Sequence, residues 1–337
     1  MAEFPKVSVI IPAYNVAPFL GETLESVLAQ TRQDYEVMVV NDGSQDETAE
    51  VAESYRARFA GKLVYLWQEN RGLAGARNTA IQAARGEFIA LLDGDDAWMP
   101  NYLEVMIGRL EADATIDLIF PNALFWGSPK HGDGDYQSIL PANPPVTLER
   151  LLLRQSNVFG LAVVRRALVL AVGGYDEALR SAEDYDLWMR LLKRGCRFDY
   201  TTEPLVRYRY RSNSLSNSGI KHYENKMKAL QKVLAVSDLT PGERAAAERE
   251  FDDSQATLDW HFYREKLLVK DYAGAAHYLG KANAYRRKLK WSVIRAGLVA
   301  APAFTARFLI ERLNDEIMML NGEAPPVRKN TKPRVSS

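Results

Sequence analysis

The chain has 337 residues, of which 47% are hydrophobic and 26% are charged, and its 43 Lys and Arg balance 43 Asp and Glu. These ordinary globular values exclude a low-complexity chain, and the length predicts one large domain with an appendage, or two domains. The single cysteine, Cys196, excludes an internal disulfide framework and a multi-cysteine metal site, and is typical of a buried structural thiol.

The first hundred residues alternate between β-branched runs and helical stripes. Strands are predicted at 7–11, 36–40, 63–66 and 87–92. Helices are predicted between and after them, and Ser44 with Glu47 has the spacing of a capping box for the second helix. This alternation predicts an α/β fold with a mainly parallel sheet, helices on both faces, and ligands at the carboxyl ends of the strands.

The remainder of the chain changes character twice. Residues 127–145 are rich in Gly, Pro and Asp, which predicts a long surface loop that can act as a lid. We expect a first domain over 1–220, a helical appendage over 221–322 and a disordered basic tail over 323–337. The N-terminus lacks the pattern of a signal peptide, and the most apolar stretch, 291–310, is interrupted by charges and a proline, so we expect no membrane-spanning helix.

Charge is unevenly placed along the chain. From Lys281 to the end, twelve Lys or Arg face four Asp or Glu, a local balance of 12 − 4 = +8. A basic region can contact nucleic acid or an anionic membrane, but no nucleic-acid-binding motif accompanies this one. We therefore expect no nucleic-acid partner.

The strongest local signal is the turn after the fourth predicted strand, where Asp93, Asp95 and Asp96 follow one another around Gly94. Three neighbouring carboxylates repel one another unless a cation lies between them, and Mg²⁺ or Mn²⁺ binds one or two carboxylates together with substrate phosphates. An exposed acidic turn explains the tetrapeptide equally well. An EF-hand is excluded, because Ala97 takes the place of a ligand and Trp98 that of the glycine.

Two further clusters carry chemistry. Glu183 and Asp184 precede an apolar helical stripe, where either carboxylate can serve as a general base or simply favour the start of the helix. Arg71 and Arg77 lie in a glycine-containing stretch at a predicted helix start and are candidate neighbours of a phosphate. The sequence has no Gly-rich dinucleotide fingerprint and no phosphate-binding P-loop, which excludes those two enzyme classes.

Five segments taken together, in order and spacing, resemble the family 2 glycosyltransferases of the GT-A fold over residues 5–215. They are Val9-Ile-Ile-Pro-Ala-Tyr-Asn15, Val40-Asn-Asp-Gly-Ser44, Gly72-Leu-Ala-Gly-Ala-Arg-Asn78, Leu92-Asp-Gly-Asp-Asp96 and Glu183-Asp184. The resemblance implies an inverting enzyme that moves a sugar from a nucleoside diphosphate sugar, UDP-linked by expectation, to an acceptor hydroxyl. It makes 1–220 the catalytic domain.

The resemblance also assigns site residues. Those implied to bind the nucleotide sugar are Pro12, Ala13, Tyr14, Asn15, Asp42, Arg77, Asp93 and Gly94. Asp93 and Asp95 match the family's Asp-x-Asp motif and are implied to hold a divalent cation, Mn²⁺ or Mg²⁺. Asp184 matches the usual catalytic base, with Glu183 beside it. The implied acceptor is a saccharide or lipid-linked saccharide in surface polysaccharide or lipid-linked glycan assembly, with the enzyme in the cytoplasm or peripheral on the inner face of the membrane.

One segment departs from the family pattern. Many members carry Tyr-Arg-x-His at the end of the catalytic domain, whereas this chain has Tyr208-Arg-Tyr-Arg211. The change replaces a possible metal or diphosphate ligand with a fixed positive charge. We expect Arg211 to assist the leaving diphosphate and to alter the metal requirement.

The basic segment that begins at Arg286 and the apolar residues around Trp291 allow two interpretations: an interfacial membrane segment, or packing against the catalytic domain or a homodimer partner. Two other functions are alternatives for the whole chain. A sugar nucleotidyltransferase needs a Gly-rich loop after its first strand, where this chain has Pro12-Ala-Tyr-Asn15. A catalytically silent nucleotide-sugar-binding scaffold that acts through its helical C-terminal region is the alternative from another class, and the presence of Asp93, Asp95 and Asp184 argues against it.

Overall fold

The computed structural model describes residues 4–128, 132, 134–211 and 219–310. Two compact units divide the chain: the first comprises 1–127 and 133–255, and the second comprises 128–132 and 256–337. All of the candidate site residues lie in the first unit. The boundary expected at 220/221 and the basic tail remain predictions, and the tail lies outside the described residues.

The first unit is built on one sheet. Its strands are β1 Val7–Ala13, β2 Tyr35–Asn41, β3 Leu63–Trp67, β4 Phe88–Leu91, β5 Ala97–Trp98, β6 Leu118–Trp126, β7 Val163–Arg165 and β8 Phe198–Arg209. Their order is β3-β2-β1-β4-β7-β6-β8-β5. The four predicted strands are confirmed as β1 to β4. Every residue of β1, β2 and β4 is buried, as expected for strands covered on both faces.

The sheet has a parallel half and a mixed half. Strands β3, β2, β1 and β4 pair in parallel, with Val9 opposite Val37 on one side and Ala90 on the other. Strand β7 then pairs antiparallel with both β4 and β6, and β8 pairs parallel with β6 and antiparallel with β5. The predicted α/β class is therefore confirmed, and the parallel part carries the polar strand ends.

The described helices cover the sheet and form the C-terminal region. They are α1 Ala17–Leu28, α2 Thr48–Ser54, α3 Gly72–Ala83, α4 Tyr102–Ala112, α5 Tyr136–Ile139, α6 Leu148–Leu152, α7 Arg166–Ala171, α8 Glu183–Lys193, α9 Gly219–Leu234, α10 Pro241–Leu268, α11 Tyr272–Arg286 and α12 Leu289–Ala300. The predicted apolar stripes are buried, as Leu20 and Leu24 of α1 and Leu187 and Leu191 of α8 illustrate. Helix burial therefore follows the 3.6-residue period of the sequence.

Two local predictions were wrong in detail. The capping box does not form, because α2 begins at Thr48 and the Oγ of Ser44 instead accepts a hydrogen bond from the Asn15 amide. The Thr48 amide is held by Asp46, whose Oδ1 accepts it at 3.2 Å. The loop predicted over 127–145 contains the one-turn helix α5, whose N-cap residue Asp135 accepts from the Ser138 amide.

The second unit is helical, as predicted, and includes the end of α10, α11, α12 and the helical residues 302–310. Its core gathers Tyr263, Leu267 and Leu279, with Leu298 of α12 buried against them. Within the described part of the chain, no helix is both long enough and apolar enough to cross a lipid bilayer.

Candidate functional site

The carboxyl ends of three neighbouring strands meet at one edge of the sheet. Strand β1 ends at Ala13, and its carbonyl accepts a hydrogen bond from the amide of Asp42, which follows β2. Leu92, which follows β4, donates its amide to the carbonyl of Ile10 at 3.1 Å. The polar residues that follow the strands in the sequence therefore converge, as the sequence predicted.

The turn after β1 is fixed by the turn after β2. Asn15 has a left-handed backbone (φ 50°), and its side-chain oxygen accepts from the Gln45 amide at 2.9 Å. Its own amide donates to the Ser44 hydroxyl at 3.0 Å. Tyr14, between this turn and the strand, is 48% exposed. The tied turns thus present an aromatic side chain to solvent at the edge where the strands end.

Asp42 is a buried carboxylate with three hydrogen-bond donors around it. Its Oδ1 accepts from the Gln68 side chain at 2.6 Å and from the Arg71 amide at 2.8 Å. Its Oδ2 accepts from the Gly72 amide at 2.8 Å. Because these amides open α3, the charge of Asp42 stabilises the start of that helix and fixes its distance from β2.

Gly94 is required by close packing. A Cβ atom at this position would lie 3.0 Å from the Pro12 carbonyl oxygen and 3.1 Å from Cγ2 of Val16. Both distances are shorter than ordinary carbon contacts, so the acidic turn can approach the end of β1 only with glycine here. The turn that carries Asp93 and Asp95 is thereby held against Pro12 and Ala13.

The three carboxylates of the acidic turn have different surroundings. The side chains of Asp93 and Asp95 are 28% and 23% exposed, whereas Asp96 is 2% exposed. Asp96 accepts from the Arg209 amide through Oδ1, and burial followed by the charges of Asp95 and Asp93 raises its pKa well above the ordinary value. Asp96 therefore belongs to the framework, and the two predicted metal ligands are the carboxylates that reach the surface.

Arg77 lies beneath this turn and is 3% exposed. Its Nη2 donates to Asp93 Oδ1 and its Nη1 donates to Glu183 Oε1, both at 2.8 Å, and its guanidinium lies 5.3 Å from the ring centre of Tyr175. Burial alone lowers the pKa of Arg77, but the neighbouring negative groups, led by Asp93, raise it on balance. Arg77 is a permanent cation that links the acidic turn to the start of α8.

Helix α8 begins with the two predicted acidic residues. Its N-cap residue, Ala182, has a left-handed backbone (φ 57°) and makes no side-chain cap. Glu183 is 5% exposed, and burial followed by the charge of Asp184 raises its pKa to about 7 while Arg77 opposes the rise. Because the carboxylate of Glu183 is paired with Arg77, the preference of acidic residues for helix starts does not by itself account for Glu183.

Asp184 has a different environment from Glu183. It is half-buried, and its Oδ1 accepts from the Tyr185 amide at 2.7 Å. A Cβ atom on Gly160 would lie 2.9 Å from Asp184 Oδ2, so that carboxylate oxygen faces the backbone of the segment before β7. Glycine at position 160 thus leaves room for the carboxylate.

The residue that departs from the family pattern, Arg211, reaches the acidic turn. Its Nη1 donates to Asp95 Oδ2 at 2.9 Å, and its guanidinium lies 5.0 Å from the ring centre of Phe19. Two residues earlier, Arg209 donates to the Asp95 carbonyl at 2.7 Å through Nε. Both arginines of the Tyr-Arg-Tyr-Arg segment therefore hold Asp95, one by its backbone and one by its carboxylate.

The carboxylates fit a cation that is shared with a substrate. Among the described residues, no group of three or more His, Cys, Asp or Glu side chains is arranged to hold a metal ion. Asp93 and Asp95 alone are two hard oxygen donors at the surface, which is the number that Mg²⁺ or Mn²⁺ takes from a protein when substrate phosphates complete its shell. The site suits a metal held jointly with a diphosphate.

Several residues of the site were not identified from the sequence. Gln68, Tyr175 and Arg209 each contact a predicted site residue, and Gly160 faces Asp184. Gln68, Tyr175 and Gly160 belong to no recognisable motif and approach the site only through the tertiary fold. Arg209 lies in the Tyr208-Arg-Tyr-Arg211 segment, but no role of its own was assigned to it from the sequence. The predicted phosphate neighbour Arg71 has a carboxylate partner, Glu177, at 2.7 Å. Cys196 is buried, as predicted, and burial raises its pKa.

The sequence of this chain is similar to those of known proteins. The model of the family described as glycosyl transferase family 2 matches residues 8–168. An uncharacterized glycosyltransferase of Rickettsia typhi is 31% identical over 232 residues, which cover 65% of this chain and 69% of that protein. The family match thus includes the acidic turn and ends before Glu183 and Asp184.

Solved structures share the fold. The crystal structure of residues 1–349 of TarS from S. aureus has a TM-score of 0.63 at 22% identity and covers 92% of both chains. The same protein has been solved with UDP-GlcNAc. The mannosyltransferase PcManGT from Pyrobaculum calidifontis, in complex with GDP-Man and Mn²⁺, has a TM-score of 0.59 at 20% identity and covers 94% of this chain and 89% of its own. At these sequence identities, the similarity shows a shared fold and nothing about the substrate.

Proposed function

Because the chain belongs to family 2 of the glycosyltransferases, we propose that it moves a sugar from a nucleoside diphosphate sugar to an acceptor hydroxyl, with inversion at the anomeric carbon. The observation that carries this proposal is the position of Arg77, which is hydrogen-bonded at 2.8 Å to both Asp93 and Glu183. One guanidinium therefore lies between the acidic turn and the residue next to the candidate base. A donor diphosphate and an acceptor hydroxyl would meet across this link.

The nucleotide end of the donor is assigned to the strand ends β1 and β2. Pro12, Ala13, Tyr14 and Asn15 form one side, and Asp42 forms the other. The tied turns support this assignment, since exposed Tyr14 can stack on a base while the backbone around it stays fixed. UDP is the proposed nucleotide, although two proteins of the same fold hold different ones, UDP-GlcNAc in TarS and GDP-Man in PcManGT.

The diphosphate is assigned to the acidic turn. Asp95 and Asp93 would hold a divalent cation, Mn²⁺ or Mg²⁺, and Gly94 lets the turn come close to the nucleotide side. When bound, such an ion stabilises negative charge on the departing diphosphate. Arg77 would act through Asp93: it is buried, and its hydrogen bond fixes one carboxylate oxygen and leaves the other for a ligand.

The transfer itself needs one base. Asp184 would accept the proton of the acceptor hydroxyl while the hydroxyl oxygen forms a bond to the anomeric carbon and the bond from that carbon to the diphosphate oxygen breaks. Glu183 would not take this proton, because its carboxylate faces Arg77 and is nearly fully buried. We therefore assign Asp184 as the catalytic residue and Glu183 as a positioning residue.

Arg211 would supply positive charge on the metal side of the diphosphate. Its hydrogen bond to Asp95 Oδ2 at 2.9 Å holds a guanidinium beside the proposed metal ligand. A fixed cation at that point stabilises charge that develops on the leaving group. The proposal is that Arg211 takes over part of the role of the family's histidine.

The acceptor is proposed only by its chemical class. A hydroxyl of a saccharide or lipid-linked saccharide would approach beside Asp184, in surface polysaccharide or lipid-linked glycan assembly. A cytoplasmic location remains a prediction from the sequence.

A thermal-shift screen of nucleotide sugars, with and without Mn²⁺, tests the proposed donor. A ligand present at about 100 times its dissociation constant stabilises the folded state by about 2.7 kcal/mol, which is a shift of several degrees in Tm. We expect one nucleotide sugar to give this shift with Mn²⁺ and a smaller one without it. The control is Asp95→Asn, which should lose the Mn²⁺-dependent part. No shift with any nucleotide sugar would contradict the proposal.

A further inference from the structure

Helix α12 in the second unit has two apolar faces, and one of them forms part of the core. Leu298 is 2% exposed and packs with Ile294 in the core of that unit. The ring of Trp291 stacks on Trp260 with centroids 4.5 Å apart. These three α12 side chains therefore pack inside the second unit, which is neither of the two interpretations that the sequence left open.

The opposite face of α12 is exposed. Leu289, Val293 and Val299 are 80%, 64% and 69% exposed, and Ala296 and Ala300 on the same side are exposed as well. The helical residues that follow carry Phe304 and Phe308, which are 71% and 60% exposed. Large apolar side chains this open to solvent are unusual when they are grouped, and such groups mark an interaction surface.

Cations border this exposed face. At about 100° per residue along the helix, Leu289, Val293, Ala296 and Ala300 share one side, and Lys290 flanks it. The exposed Arg287 precedes the helix, and between positions 281 and 310 the sequence holds seven Lys or Arg and no Asp or Glu. An apolar strip beside basic residues is the pattern of a helix that lies in the plane of a lipid interface.

The positive charge of this region distinguishes between two candidate partners, a second copy of the chain and a lipid bilayer. A twofold contact between copies of this chain would bring the same basic region of each copy together, with no acidic residue between 281 and 310 to balance it. An anionic bilayer offers the opposite charge to the basic residues and an apolar phase to the exposed strip. Complementarity therefore favours the bilayer.

We propose that the α12 surface, defined as Leu289, Val293 and Val299 with Phe304 and Phe308 of the following helical residues and the nearby cations Arg287 and Lys290, docks on an anionic lipid bilayer. The apolar side chains would enter the boundary between headgroups and acyl chains, and the two cations would meet lipid phosphates. The helix would lie along the interface. This inference is independent of the donor and acceptor assigned to the first unit.

Vesicle co-sedimentation of the full chain tests the proposal. We expect binding to vesicles of phosphatidylcholine with phosphatidylglycerol to be about tenfold tighter than to phosphatidylcholine alone, and to weaken when salt rises from about 0.1 M to about 1 M. Val293→Glu with Phe304→Glu should weaken binding by about tenfold or more, because both charges would have to enter the apolar layer. Circular dichroism would verify that the variants are folded.

Matched controls separate this surface from general effects. Phe4 is 78% exposed and lies in the first unit, so Phe4→Glu should bind vesicles like the wild type. Arg287→Gln with Lys290→Gln should lose binding, whereas Arg56→Gln with Arg58→Gln, which removes the same charge from the first unit, should not. Equal binding to both vesicle types, or unchanged binding of the Val293 and Phe304 variant, would overturn the proposal. The proposal would also be overturned if sedimentation velocity showed that the wild type forms a dimer that does not bind vesicles and that this variant does not form it.

Discussion

The guanidinium of Arg77 lies 2.8 Å from the carboxylate of Glu183, a residue 106 positions later in the chain. Both partners are almost fully buried, and the same guanidinium also holds Asp93 at 2.8 Å. Two parts of the site that are distant in sequence are thus joined by one side chain. Substitution of Arg77 should therefore change the stability of the protein, the binding of the donor at the acidic turn and the proton transfer at the start of α8.

At about pH 9, above the pKa of Glu183, Arg77→Met should lower the free energy of unfolding by about 3–5 kcal/mol, because it leaves a buried carboxylate without its counter-charge. Urea-induced unfolding measures this change. Adding Glu183→Gln should recover part of the loss, since the double variant no longer buries an unpaired charge. The control Arg56→Met breaks an exposed pair with Glu53 and should leave the stability nearly unchanged. A loss no larger for Arg77→Met than for the control would refute the buried link.

The pKa of Glu183 makes stability depend on pH. Burial and the charge of Asp184 raise this pKa from 4.5 to about 7, against the effect of Arg77. Between these values the folded chain holds a proton that the unfolded chain releases, so the contribution of Glu183 to the free energy of unfolding falls as the pH rises through this window. The full change is about 3 kcal/mol.

Glu183→Gln cannot ionise and should lack this pH-dependent loss. Urea-induced unfolding of both proteins at several pH values from about 4.5 to about 7.5 gives the comparison. The wild type should lose stability relative to the variant as the pH rises. Parallel pH profiles for the two proteins would show that the carboxyl of Glu183 titrates normally.

Gly94→Ala should disturb the donor side of the site. The added methyl group would press on the Pro12 carbonyl and on Val16, which we expect to cost about 1–3 kcal/mol of stability and to weaken nucleotide-sugar binding. Gly108→Ala is the matched control, because nothing lies within 4 Å of its Cβ position in α4 and alanine favours a helix by about 0.5–1 kcal/mol. Calorimetry of donor binding to both variants distinguishes the effects. Unchanged donor affinity in Gly94→Ala would remove the turn from the donor site.

Arg211→Ala should lower the rate of donor hydrolysis by about tenfold or more at saturating donor, since it removes a cation from the proposed leaving-group side. Hydrolysis is measured across a range of Mn²⁺ concentrations, and the variant should need less Mn²⁺ for half its maximal rate, because Asp95 loses the cation that competes with the metal. Arg207→Ala, which changes an exposed arginine near the end of β8, is the control and should retain activity. Unchanged turnover in Arg211→Ala would end the assignment.

The fold could be predicted from the sequence where the pattern is local. Strands β1, β2 and β4 are continuous apolar runs, and the polar residues after them could be placed at one sheet edge by the rule for parallel strands. Strand β7 could not be predicted, because three residues that pair antiparallel with β4 and β6 carry no periodic signal. The mixed half of the sheet is decided by tertiary packing.

The sequence identified most residues of the site, but it did not identify the side chains that contact them or how deeply each residue is buried. The acidic turn could be identified, but the burial of Asp96 and the exposure of Asp93 and Asp95 depend on how the turn packs. Arg77 was expected at the nucleotide, whereas it is a buried partner of Asp93 and Glu183, for which a spacing of 106 residues gives no sequence signal.

Asp184→Asn is the most direct test of the central claim that Asp184 is the base and that the strand ends bind the donor. The measurement pairs calorimetric donor binding with the rate of donor consumption, using the nucleotide sugar that stabilises the wild type. Donor affinity should stay within about threefold, while the rate should fall by about a hundredfold or more, since proton removal contributes about 10²–10⁴ in rate. An equal loss of donor binding, or a rate close to that of the wild type, would contradict the account.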